Sequence, residues 1–540
     1  MQVEADSSLI AALERRRRQW RDVNGTARLW SRDGSLWTDS GEEEWLGWLD
    51  VERLGRLTLV DASGKRADTE AAKLAGHLAG PPFERCLLLG MGGSALGADL
   101  LWQALPGQVD AEFIVLDTTD PREIARALYG VDPVNLRVIA ASKSGGTLET
   151  KLAFELLLDR LGDAASVSAL AITDPGSALE TRARDAGARV VFGHPDIGGR
   201  FSVLSAFGLV PAAVAGIESE PLLASARRMA AACRRSDDGD ETNAGVELGL
   251  LLAAAHDCGR DKLYLHAPDG CSEMVGWVEQ LLAESLGKGD VLLLPVAAAG
   301  LPAEPSADRL DIVLGSGASH GAPAHAPQAH IGADVAADLG GEFFRWQFAT
   351  AVAGALLGVN PFDQPDVESS KVVTRRYVER IRAGDTTEPS GVVRLGDVSA
   401  LGLAEVLGTH VATFPEGGYA VVSAYLDRSG PNEELLQTLR RRIAGATGGA
   451  SALGFGPSFL HSTGQAHKGG PNRGLFLQIT AEPPAADIPV PGESLTFGQV
   501  QLAQAWGDYE VLVERKRRVL AVHLDGDVGA GLRRLVEAVG

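Results

Sequence analysis

From residue 85 onward the chain repeats one rhythm. A short, almost continuously apolar run ends in Gly, Ser, Thr or Asp, and a helical pattern follows. The runs are Cys86–Leu89, Phe113–Leu116, Val138–Ala141, Ala169–Ile172 and Val190–Phe192. A strand apolar on both faces has to be covered on both, and strands alternating with helices need crossover connections. The rhythm therefore predicts an α/β fold with a doubly wound parallel sheet. It recurs more weakly at Leu263–His266, Val291–Pro295 and Leu310–Leu314, which predicts a second such domain.

Domain bounds follow from this rhythm. Residues 1–55 hold a helix (Ser8–Trp20) and then a Trp-rich segment with Trp30, Trp37, Trp45 and Trp48, read as an extension that clasps a later domain. The first α/β domain covers 56–240 and the second 241–380. Residues 381–392 form a polar linker. Beyond it come Tyr419–Tyr425, a helix around Asn432–Ala444, Leu475–Thr480, a helix around Thr496–Lys516, and Arg518–Leu524. These predict a third, mixed α/β domain over 393–540. The length of 540 residues agrees, since a domain typically takes about 150.

A net charge of −21 argues against wrapping nucleic acid or docking on anionic lipid. The basic run Arg15–Arg18 reads as the solvated face of a helix. Four cysteines without a CxxC pair point away from a disulfide scaffold and from zinc, and toward a reducing, cytoplasmic setting. No signal peptide is expected at the start. The longest apolar stretch, Val291–Ala303, is interrupted by Pro295, Gly300 and Pro302 and is too short to cross a membrane. His320, His325 and His330 lie in a loop-like segment, Ser316–His330, at a spacing of five that does not align them for a metal.

Six segments can carry chemistry. In the first, the run Leu87–Leu89 enters Gly90-Met91-Gly92-Gly93-Ser94, and a helix follows. Glycines let the backbone approach an anion, and free N–H groups at a helix start can bind it. The same turn fits a tight structural turn or a loose dinucleotide fingerprint, with Asp117 as the ribose-binding acid. In the second, Ser142-Lys143-Ser144-Gly145-Gly146-Thr147-Leu148-Glu149-Thr150 follows the strand Val138–Ala141. Its hydroxyls, lysine and N–H groups suit a monophosphate; the alternative is a helix-capping cluster.

The third, Gly198-Gly199-Arg200-Phe201-Ser202, can present a guanidinium fork to an oxyanion or make a salt bridge. In the fourth, Gln280, Glu284 and Lys288 share one helix face, where Glu284 could serve as a base or join a surface salt-bridge row. The fifth is the rigid loop Asn360-Pro361-Phe362-Asp363-Gln364-Pro365, which feeds a helix carrying Lys371 about two turns in. The sixth, Phe459–Gly470, places His461 and His467 in a polar glycine-rich loop of a chain with eleven histidines. One of them could handle a proton.

Taken together the set resembles glucose-6-phosphate isomerase. The Gly-x-Gly-Gly-Ser turn and the Ser-Lys-Ser-Gly-Gly-Thr-Leu-Glu-Thr loop are similar to a sugar-isomerase (SIS) domain. Gly-Gly-Arg-Phe-Ser-x-x-Ser, Glu-Ser-x-Gly-Lys and Asn-Pro-Phe-Asp-Gln-Pro-x-Val-Glu-x-x-Lys are similar to that family's signatures, in the family's order, over residues 90–371. The first 50 and last 150 residues look closer to the form fused behind a transaldolase, through the Trp30–Trp37 segment and His-Ser-Thr-Gly-Gln-x-His-Lys-Gly-Gly at 461–470. No transaldolase barrel precedes Met1, so transaldolase activity is not expected.

The resemblance implies two SIS-type doubly wound domains plus the third. It also implies reversible isomerisation of glucose 6-phosphate and fructose 6-phosphate through an enediolate, a glycolytic and gluconeogenic step. No metal or cofactor is implied. Ser142, Lys143, Ser144 and Thr147 would hold the phosphate, with Gly92, Gly93 and Ser94 nearby. Gln280 would line the sugar, Glu284 would move the proton between C1 and C2, and Arg200 would stabilise the enediolate. Lys371 and a histidine would open the ring. In the family that histidine lies between the segments matching Glu284 and Lys371, in a Gln-His-x-Phe setting absent here. His467 is the best local match, with His461 behind it. The family's histidine comes from a partner subunit, so a homodimer is implied. Activity on mannose 6-phosphate and a non-catalytic sugar-phosphate sensor are the alternatives.

Overall fold

In the computed structural model the residues described are 1–78, 80–236, 242–268, 270–301, 306–315, 327–332 and 334–539, and among them the strands form three sheets. β1 (Gln2–Glu4) belongs to the second sheet. β2 (Arg56–Val60) and β3 (Arg66–Glu70) form an antiparallel hairpin at one edge of the first. The parallel part of the first sheet is β4 (Arg85–Gly90), β5 (Glu112–Leu116), β6 (Leu136–Ala141), β7 (Ala169–Thr173) and β8 (Arg189–Phe192), in the order β8-β7-β6-β4-β5. The second sheet has the order β1-β12-β11-β9-β10, with β9 (Lys262–His266), β10 (Leu294–Ala297), β11 (Arg309–Leu314) and β12 (Gln328–Ile331).

The third sheet is the one expected over 393–540. β13 (Val393–Arg394), β14 (Tyr419–Tyr425), β15 (Ala450–Phe455), β16 (Gly474–Ala481) and β17 (Arg518–Leu524) pair in the order β13-β17-β16-β14-β15. This mixed α/β domain is as expected, and every pairing in its sheet is parallel. In all three sheets the first main strand (β4, β9, β14) lies between the second and the third. That order creates a switch point at the carboxyl ends of the strands, where ligands of such folds bind.

The central strands behave as their composition demands. Leu87, Leu88, Leu89, Val138, Ile139, Ala140 and Ala141 are each 0 % exposed, so both faces of the first sheet are covered. The strands missed by periodicity are the edge and hairpin strands β1, β2, β3, β13 and β15, and the short β12 between β1 and β11. β3 alternates with mostly exposed residues, and β1 and β13 are too short to show a period. His330, expected in a loop, is in β12 opposite Gln2. His320 and His325 lie outside the described residues.

Residues 1–55 are built into the second domain. β1 extends its sheet antiparallel to β12. The helix Ser7–Asp22 starts at Asp6, whose carboxylate accepts from the backbone N–H groups of Ser8 and Leu9. The basic run is only partly a solvated face: Arg16 pairs with Asp257 at 2.6 Å and Arg17 with Glu247 at 2.7 Å. Trp48 packs between Phe201 of the first domain and Phe344 of the second, at ring separations of 5.4 and 5.7 Å. Trp48 thus bridges the 199–201 turn and the helix Leu339–Leu357.

The third domain docks on the first at its carboxyl edge. Just past β14, Arg428 donates to Asp117, just past β5, and its guanidinium lies 3.2 Å from Glu123. Burial is the main cause that pushes Glu123 up, to about 7, against the pull of Arg428. No described helix is long and apolar enough to cross a membrane.

Candidate functional site

The loops after β4 and β6 flank the switch point of the first sheet, and chain from all three domains converges there. The β4 turn is a 3-10 turn at Gly92–Ser94, followed by the helix Leu96–Ala104. Gly92 has φ +51, and a Cβ on it would stand 2.4 Å from the His461 carbonyl and 2.5 Å from Gln280 Nε2. A side chain here would wedge the third domain off the first. Gly93 packs equally closely on Gly199 and Arg200, and Ser94 is buried. The turn therefore joins the Arg200 segment to the His461 loop. Asp117 is bonded by Arg428 and by the Ser458 hydroxyl, which removes it as a ribose-binding acid.

A cavity of about 340 Å³ opens beside the β6 loop. One wall is Ser144, Gly146, Thr147, Leu148, Glu149 and Lys151. Facing it on the helix Pro365–Arg382 are Ser370, Lys371, Thr374 and Arg375, and the third domain closes it with Leu460, His461 and Gln504. Of the phosphate residues expected from sequence, Ser144 and Thr147 line this cavity. Ser142 is buried and donates to Thr147 Oγ1 at 3.0 Å. Thr147 is the N-cap residue of the helix Leu148–Leu161 yet makes no side-chain cap bond. Lys143 does not face the cavity as a phosphate ligand. It pairs with Asp174 and donates to the His194 and Pro195 carbonyls at 3.0 and 3.3 Å, anchoring the loop from behind.

The two histidines exchange places relative to expectation. His467 is 3 % exposed among the rings of Tyr419, Phe459 and Phe476, with centroids 6.3, 6.1 and 5.2 Å away. Burial, aided by Lys468 and Arg517, pushes its imidazole down to about 3, so it is a neutral core residue that does not reach the cavity. His461 lines the cavity, and its Nε2 lies 3.1 Å from Glu149 Oε1.

Glu149 is the residue the sequence concealed, because an acid at a helix start reads as a cap. Its Oε1 accepts from Gln504 Nε2 at 2.6 Å, and Gln504 accepts from the Thr119 hydroxyl at 2.7 Å. Burial alone would raise the Glu149 carboxyl, but the neighbouring His461 and Lys371 hold it below the ordinary carboxylate range. An ionised carboxylate only accepts, so in the contact between the pair the His461 ring is the donor. The Thr119–Gln504–Glu149 chain holds the carboxylate against the His461 ring and so orients the ring. The histidine and the carboxylate belong to one chain.

Glu284 is linked to the His461 backbone through a shared amide, and Glu284, Gln280 and Arg200 do not line the cavity. Gln280 Nε2 donates to Glu284 Oε2 at 3.0 Å and to the His461 carbonyl at 2.9 Å. Gln280 Oε1 is buried with no partner among the described residues. Arg200 Nη1 lies 3.3 Å from Glu284 Oε1. The other Arg200 donors reach Ser285 Oγ (2.7 Å), Gln364 Oε1 (2.9 Å) and the carbonyls of Pro361 (2.6 Å) and Asp363 (2.8 Å). The helix carrying Glu284 runs Glu273–Leu286, so Lys288 lies beyond its end and does not share a helix face with Gln280 and Glu284. A Cβ on Gly287 would stand 2.4 Å from that of Ala466, so a glycine is required where this helix end meets the third domain.

Among the described residues, one group could hold a metal: Glu482, His523 and Asp525. Arg394 already lies across its two carboxylates, at 3.2 and 2.9 Å.

Residues 70–288 match the family model described as phosphoglucose isomerase. A glucose-6-phosphate isomerase of Rubrobacter xylanophilus is 29% identical over 348 residues, covering 53% of this chain and 80% of that one. A glucose-6-phosphate isomerase of a Cyanothece species is 37% identical over 213 residues, but the match covers only 38% of this chain and 40% of the relative. A crystal structure of a hypothetical protein from Thermus thermophilus superposes with a TM-score of 0.55 at 23% identity, covering 70% of this chain and all of that one. That likeness shows a shared fold.

Proposed function

We propose that the chain, similar to glucose-6-phosphate isomerases through residues 70–288, is an isomerase that interconverts glucose 6-phosphate and fructose 6-phosphate by proton transfer between C1 and C2. The observation that carries this reading is the convergence on one cavity of the Ser144–Thr147 loop, Lys371 and the His461–Glu149 pair, with Glu284 joined by Gln280 to the backbone carbonyl of His461.

The phosphate is held by the Ser144 and Thr147 hydroxyls and the loop N–H groups. Lys151, Lys371 and Arg375 in the cavity lining make it electropositive for a dianion. His461, with its ring oriented by Glu149, shuttles a proton with Lys371 to open the pyranose or furanose ring. Glu284 takes the proton from C2 of the aldose, or C1 of the ketose, and returns it to the other carbon. The O1–C1–C2–O2 enediolate develops negative charge, and Arg200 beside Glu284 stabilises it. The unpartnered Gln280 Oε1 meets a sugar hydroxyl. The third domain completes the site in cis, so on this reading no partner subunit has to supply the histidine.

The test is turnover of fructose 6-phosphate, with the glucose 6-phosphate formed coupled to a separate dehydrogenase, run with and without a metal chelator. Chelator-resistant turnover is expected. A chain that binds the sugar phosphate without turning it over would instead be a sensor, and one that neither binds nor turns it over sinks the reading. A parallel run with mannose 6-phosphate decides the sugar range. The histidine assignment has its own outcome. His461→Asn should lower kcat by about 10²-fold, as expected for loss of a general acid–base. His467→Phe should leave kcat within about threefold, because it exchanges one core ring for another of similar volume. The reverse ranking would restore His467.

A further inference from the structure

Lys288 closes the motif Glu284-Ser285-Leu286-Gly287-Lys288, yet the mechanism above gives it no task. Its side chain is 12 % exposed. Its ammonium donates to the carbonyls of Asn360 and, at 2.8 Å, Asp363, and to Asp363 Oδ1 at 2.5 Å. Arg200 binds the same loop from beside it, on the Pro361 and Asp363 carbonyls and on Gln364. Two cations from different elements thus hold the carbonyls of one proline loop. That loop leads directly into the helix carrying Lys371, and its Phe362 ring packs on Trp37 at 5.4 Å.

The arrangement has a chemical consequence. Four of the five Arg200 N–H donors are spent on Ser285 and this loop, so the loop sets where the fifth can reach Glu284. A displaced loop moves the guanidinium from the proton-transfer carboxylate and shifts Lys371 with its helix. Angstrom-scale misplacement of such groups is costly.

We propose that Lys288 is a positioning residue of the isomerase, an ammonium clamp that holds the Asn360–Gln364 loop in the register required by Arg200, Glu284 and Lys371. This rests on the isomerase reading above. The clamp is also sensitive to pH. The charged groups facing Lys288 are Arg200 from the 199–201 turn, Asp363 from the loop and Glu284 from the preceding helix. Burial, and then Arg200, lower the Lys288 ammonium to about 8, while Asp363 and Glu284 oppose the shift. The cation is present below that value and lost above it, so the clamp weakens on the alkaline side.

Two variants and two readouts test this. Lys288→Met should lower kcat by about 10²-fold with KM changed much less, since the phosphate contacts are untouched. Lys288→Arg, which keeps a cation that does not titrate, should recover most of kcat. It should also move the alkaline fall in activity up by at least about one pH unit. Independently of turnover, hydrogen exchange over residues 360–364 should accelerate in Lys288→Met and return toward the parent rate in Lys288→Arg. Unchanged exchange in Lys288→Met, or an alkaline limb that does not move in Lys288→Arg, overturns the clamp. If the parent chain turns over no sugar phosphate, the isomerase reading fails, and loop exchange still decides whether Lys288 holds the loop.

Discussion

Glu284→Gln is expected to lower kcat for fructose 6-phosphate by about 10³–10⁴-fold, the upper range for loss of a general base. The amide has the size of the carboxylate and can still accept from Gln280 Nε2, which lies 3.0 Å from Oε2 in the parent. Arg200 keeps its bonds to Ser285, Gln364 and the loop carbonyls, so the surroundings of the base should survive. What disappears is the proton acceptor. Binding of fructose 6-phosphate, measured by titration calorimetry on the inactive variant, should therefore stay within about tenfold of the parent KM. A variant that retains kcat within about tenfold removes Glu284 as the base.

The largest expected effect on stability lies away from the cavity. Lys468 and Asp508 form an ion pair at 2.6 Å with both side chains 1 % exposed. Lys468 belongs to the short helix that follows the His461 loop, and Asp508 to the helix Phe497–Glu514, which also supplies Gln504. Lys468→Met should destabilise the third domain by about 3–5 kcal/mol, because it strands a buried carboxylate. The double variant Lys468→Met, Asp508→Leu should recover much of that loss, since two apolar groups leave no charge unpaired. Urea unfolding followed by far-UV circular dichroism reads both. A loss below about 1 kcal/mol in the single variant would mean that water reaches the carboxylate and the pair is not sealed.

The doubly wound architecture was legible before any coordinates. Residues 136–141 and 85–90 are apolar in nearly every position, and only a strand covered on both faces takes such a run. The Ser144–Thr147 loop was equally legible, because anion-binding turns need Gly, Ser and Thr at adjacent positions after a strand. β14 and β17 were found to the residue, whereas β15, with its Ala450-Ser451-Ala452-Leu453-Gly454, carries too little apolar contrast to stand out. The pairing of every strand in the third domain as parallel was not readable, since it depends on the spatial order of β14 to β17 and not on their composition.

By itself the sequence determined the strand–helix alternation, the glycine-rich turns, and the residue types that a phosphate, a proton and an oxyanion require. Those are local properties, written in runs of a few residues. The tertiary structure alone decided which histidine meets the cavity. His461 and His467 stand six residues apart in one loop-like segment, yet one faces Glu149 and the other lies among Tyr419, Phe459 and Phe476. It also turned Lys143 away onto Asp174, brought Glu149 out of its capping disguise and set Lys288 on the loop before Lys371. Each of these depends on contacts between segments far apart in the chain. A side chain's charge state and direction are set by what packs against it, and its own neighbours in sequence do not record that.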